Sequence, residues 1–71
     1  MTKFEVVVYN AAVREAVKFG DHHKEFEDDW ADPHYIEIQS ENEDKARARA
    51  AVKYPENRGF VIVAVNEATD I

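Results

Sequence analysis

The chain has 71 residues, no cysteine and a formal net charge of −6. That length accommodates one hydrophobic core, so a single domain over 1–71 is expected, and the missing thiols exclude disulfides, thiolate zinc sites and iron–sulfur clusters. Ten carboxylates against one lysine fall within the tract 21–44, a balance of −9 that leaves +3 for the remainder. Such a field repels nucleic acid and anionic membranes and attracts cationic surfaces. The opening Met1-Thr2-Lys3-Phe4-Glu5 carries charge where a signal peptide needs an apolar core. The longest apolar runs, 6–9 and 60–65, are too short to span a bilayer. A cytoplasmic location, without membrane contact, is the expectation.

Lys3 to Tyr9 reads as a first strand, rich in valine and aromatics. Its unbroken Val6-Val7-Val8 suits a central place in a sheet, with apolar neighbours on both faces. Asn10 is placed to cap a helix from Ala11 to Phe19, and Gly20 to end it in a left-handed turn. From Asp21 to Pro33 the pattern divides. Phe26 and Trp30 are spaced for one helical face, yet the crowded acids oppose a helix. Helix and ordered acidic loop both stay open, and so does whether Trp30 is core or exposed.

His34 to Gln39 alternates as a second strand, with Ile36 and Ile38 inward. Ser40-Glu41-Asn42-Glu43 then matches a capping box opening a helix to about Tyr54. The stripe Ala46, Ala50 and Tyr54 would face the sheet. Pro55 stops that helix, Asn57-Arg58-Gly59 turns the chain, and Phe60 to Val65 forms a third strand. The tail 66–71 is expected to fray. The pattern predicts an α+β, two-layer fold: a three-stranded mixed sheet in the order 2-1-3, with helices on one face. Strand 1 would be central and antiparallel to both neighbours.

Little in the chain points to catalysis. The only glycines are Gly20 and Gly59, so no glycine-rich phosphate loop exists. A core of this size leaves little room for a pocket of even ~300 Å3, the low end for ligand sites. His22, His23 and His34 lack the usual metal-ligand spacings and read as solvated; a metal site built on them is the remote alternative. Counted from Asp28, the calcium-loop positions for glycine and glutamate hold Pro33 and Gln39. No enzyme activity, cofactor or metal is expected. What remains is the acidic tract with its embedded aromatics. One reading is a solvated face. The other is a partner-binding surface of Glu25, Glu27, Asp28, Asp29, Asp32 and Glu37, with Trp30 and Tyr35 as anchors. Spaced carboxylates mimic a phosphate backbone, so the fitting partner is a protein with a basic nucleic-acid-binding surface.

In its size, its charge, the tract Glu25-Phe26-Glu27-Asp28-Asp29-Trp30-Ala31-Asp32 and the β–α–β ending in residues 54–63, the chain resembles the small acidic inhibitors carried by bacteriophages, the anti-CRISPR proteins. Several of those act as DNA mimics. The resemblance implies a target such as a type I or type II CRISPR effector, blocked at its DNA or PAM-binding surface in the host cytoplasm, by a monomer or homodimer. It assigns no role to any single residue. The alternative is an accessory subunit of a larger complex, docking through an apolar sheet face or strand edge.

Overall fold

The computed structural model describes residues 1–68. The elements run β1 (Thr2–Asn10), α1 (Ala11–Lys18), a 3-10 turn (Asp28–Ala31), β2 (His34–Ser40), α2 (Glu43–Lys53), a second 3-10 turn (Glu56–Arg58) and β3 (Phe60–Glu67). The sheet order is β2-β1-β3, with β1 central as its valine run predicts. Both pairings are antiparallel. The sheet is therefore not mixed: β2 and β3 do run parallel, but β1 separates them and they never pair.

Register assigns the two faces. Val6 lies opposite Ile36 and Val65, and Phe4 opposite Ile38. With period-two alternation, these side chains share one face. α2 covers that face with Ala46 and Ala50, both fully buried, so no bulky side chain holds the helix away from the sheet. Each fully buried valine or phenylalanine contributes roughly 1.5–3 kcal/mol relative to exposure. The other face carries Val7, Tyr9, Tyr35, Glu37 and Val61 by the same register. Between Val7 and Val8 the pairing jumps from Ala64 to Ile62, which leaves Val63 as a bulge on β3.

Two local expectations give way. The cap of α2 is Asn42, whose side chain accepts the Lys45 N–H at 2.9 Å. Ser40 instead ends β2, and its hydroxyl is buried without a hydrogen-bond partner among the described residues. Ser40 still belongs to the β1 ladder, paired with Thr2, so the strand outcompetes the capping box. The tail also differs. Asn66 and Glu67 continue β3, and the Ala68 N–H donates to the Lys3 carbonyl at 2.8 Å. Residues 69–71, the rest of the expected frayed tail, lie outside the described residues.

The expected start of α1 is present. Asn10 is fully buried; its side-chain oxygen accepts the Val13 N–H at 3.1 Å and its amide donates to the Arg58 carbonyl. One side chain thus caps α1 and ties it to the turn before β3. Gly59 makes this possible: at φ +96, a Cβ there would stand 2.6 Å from the Asn10 side-chain oxygen.

Candidate binding surface

Residues 21–33 form an ordered acidic loop with one 3-10 turn, which resolves the choice left by the sequence. The loop leaves α1 through Gly20, at φ +73, where the Asp21 N–H bonds to Ala16 O and the Gly20 N–H to Val17 O. This paired closure satisfies the last carbonyls of the helix. His22 Nδ1 then meets the Asp28 carboxylate at 2.8 Å. That hydrogen bond, reinforced by the Asp28 charge and more weakly by Asp21, raises the His22 pKa. The Glu25 N–H donates to His23 Nδ1, and Arg58 Nη1 donates to Glu25 at 2.8 Å.

Trp30 fixes the turn. Its indole stacks on His34 at 4.0 Å between ring centres and meets Phe60 edge-on at 5.2 Å. Tyr54 and Phe26 complete the cluster around Phe60. The Asp29 carbonyl lies 3.0 Å from His34 Nε2. A carbonyl can only accept, so that nitrogen carries the proton. On the far side of the turn, Arg14 Nε donates to the Ala31 carbonyl at 2.8 Å while its guanidinium lies over the Tyr9 ring. Asp32 is extended ahead of Pro33 and leads into β2. Trp30 is therefore a half-buried structural anchor.

The eight candidate residues do not form one patch. Glu27, Asp28, Asp29 and Asp32 lie together on the exposed turn. Asp28 is engaged by His22 and Glu25 by Arg58. Glu27, Asp29 and Asp32 make no ion pair among the described residues. Trp30 packs on His34, on the α2 side of the sheet, whereas Tyr35, 66% exposed, projects from the opposite face with Glu37. Glu37 lies 4.0 Å from Lys3 Nζ. The sheet separates the two supposed anchors.

A further feature escaped the sequence. Phe26, Trp30, Tyr54 and Phe60 floor an open groove of about 410 Å3, with Val52, Lys53 and Arg58 at its rim. It is an open depression on the surface beside the core, not an enclosed pocket within it. Its signal was Val52, an apolar residue off the inward stripe of α2 and 85% exposed. Among the described residues no three His, Asp or Glu side chains are grouped to hold a metal. No helix there is long and apolar enough to cross a membrane. No family model, curated protein or solved structure matches the chain.

Proposed function

We propose that the chain is a non-enzymatic binding protein of the cytoplasm. Its acidic turn occupies the basic nucleic-acid site of another protein, as an anti-CRISPR DNA mimic blocks a CRISPR effector. The observation supporting this reading is the display of Glu27, Asp29 and Asp32. All three are exposed and without an ion pair among the described residues, on a turn held from both sides by Trp30 and Arg14. Fixed carboxylates lose little conformational freedom on meeting an arginine-lined groove, and binding releases the counterions of both surfaces. Trp30 supports the turn from within, and Tyr35 and Glu37 belong to a separate face.

The test is competition with target DNA for purified type I and type II effector complexes. The wild-type chain should displace DNA, less so as salt rises. The triple variant Glu27→Gln, Asp29→Asn, Asp32→Asn should fold normally and compete at least about tenfold more weakly. Equal competition by both proteins, or none by the wild type, rules the reading out. A second reading, an accessory subunit docked through its sheet, draws on Tyr35 and Val63, 66% and 56% exposed. It expects association that resists salt and is lost in Tyr35→Ser with Val63→Ser.

A further inference from the structure

The groove floored by Phe26, Trp30, Tyr54 and Phe60 carries charge of one sign. The charged residues of its lining are Lys53 and Arg58, with no acid among them. Lys53 is exposed and makes no ion pair among the described residues. Its Nζ lies 5.7 Å from the centre of the Tyr54 ring, so the charge stands beside the floor. Arg58 pairs with Glu25, which lies outside the lining. Both side chains of that pair are 59% exposed, and an exposed pair exchanges partners at little cost. Val52 adds an exposed apolar edge, and the half-buried Trp30 and Tyr54 keep part of their surface open.

We infer that this groove docks a short acidic segment of a partner protein. One aromatic side chain of the segment sits between Val52 and the floor, and its neighbouring carboxylates reach Lys53 and Arg58. Floor rings favour another ring in edge-on or offset contact, and tryptophan, tyrosine and arginine are the residue types on which binding energy concentrates. Two cations without an acid select an anionic occupant. The open mouth decides its kind. A free aromatic acid would keep one side in water, whereas a peptide covers its own anchor with the flanking backbone. A nucleic-acid strand also offers rings and anions, but it brings one charge per nucleotide to a site beside the −9 tract 21–44. A segment with two carboxylates matches the two cations and adds no surplus charge. Glu27, Asp29 and Asp32 do not line this groove, so the inference goes beyond the proposed function and does not rest on it.

Trp30 is the only tryptophan of the chain, so its fluorescence reads the occupancy of the groove directly. Titrating the purified full chain with the peptide acetyl-Gly-Asp-Phe-Asp-Gly-amide should shift that emission and saturate with a Kd of about 1 mM or tighter. Asparagine in place of both aspartates of the peptide should weaken binding about fivefold, and alanine in place of its phenylalanine at least about tenfold. Lys53→Gln should bind the acidic peptide about threefold more weakly and the neutral one unchanged. Arg47→Gln, the same loss of charge on α2 outside the lining, should change neither. Far-UV circular dichroism checks each fold, and Arg58→Gln replaces Lys53→Gln if that variant fails it. Phenylacetate and an oligothymidylate are the comparison ligands, and each should bind at least about tenfold more weakly than the acidic peptide. No saturable shift with that peptide, equal affinity for its acidic and neutral forms, or equal losses in Lys53→Gln and Arg47→Gln overturns the inference. Tighter binding of phenylacetate or oligothymidylate overturns it too. None of these outcomes involves a nucleic-acid-binding protein, so they leave the proposed function to its own test.

Discussion

Ser40 and Asn42 stand two residues apart at the entrance to α2, and their roles are the reverse of what the local pattern implies. Asn42 accepts the Lys45 N–H, so Asn42→Ala should cost about 1 kcal/mol, the usual loss for a helix cap. Ser40 buries a hydroxyl that bonds to nothing described, so Ser40→Ala should be neutral or slightly stabilising. Urea denaturation of both variants checks the assignment, and a larger loss for Ser40→Ala would restore the capping box. The two glycines allow a matched comparison, since both have positive φ. Alanine at Gly20 meets nothing within 4 Å and should cost only the backbone strain, roughly 1–2 kcal/mol. Alanine at Gly59 would also collide with Asn10 and Ala12, at 2.6 and 2.8 Å. Gly59→Ala should therefore be clearly the more destabilising in the same denaturation series.

At the scale of elements, the loop 21–33 shows where pattern reading succeeds and where it stops. The strands, the sheet order and the Asn10 cap were legible because each rests on local chemistry: a valine run, an alternation, a capping side chain before an apolar stripe. The loop was not, because Trp30 is held by Tyr54 and Phe60, residues distant along the chain. The candidate acids were legible as a group, but not their division by pairing with His22 and Arg58 or by the sheet. Alternation could still have placed Tyr35 opposite the His34 on which Trp30 stacks. The His22–Asp28 link makes the loop sensitive to pH. Its folded pKa lies above the ordinary 6.5, so the stabilisation is full below that value and is lost as pH rises through the raised one. Amides of residues 22–28 should lose protection, relative to the intrinsic base-catalysed rate, across that interval, and NMR titration of His22 should move back toward the ordinary value in Asp28→Asn. An unchanged titration in that variant would remove Asp28 as the cause.

For the whole molecule, two packed groups share the sheet: Phe4, Val6 and Val65 pack with Ala46 and Ala50 of α2, while Trp30 joins the acidic loop to β2, β3 and the end of α2. Thermal unfolding followed by the fluorescence of Trp30 and by far-UV circular dichroism should therefore give coincident transitions. An earlier fluorescence transition would mean that the loop opens independently of the sheet. The bulge at Val63 acts at this same scale. The third strand, Phe60-Val61-Ile62-Val63-Ala64-Val65, is an apolar run at an edge of the sheet, and flat apolar edges recruit identical strands into amyloid-like stacks. The extra residue bends the strand and breaks the regular spacing of its hydrogen-bonding groups, so a neighbouring molecule finds no straight template to extend. The irregular valine thus acts in the same direction as the net negative charge, against stacking of one molecule on another.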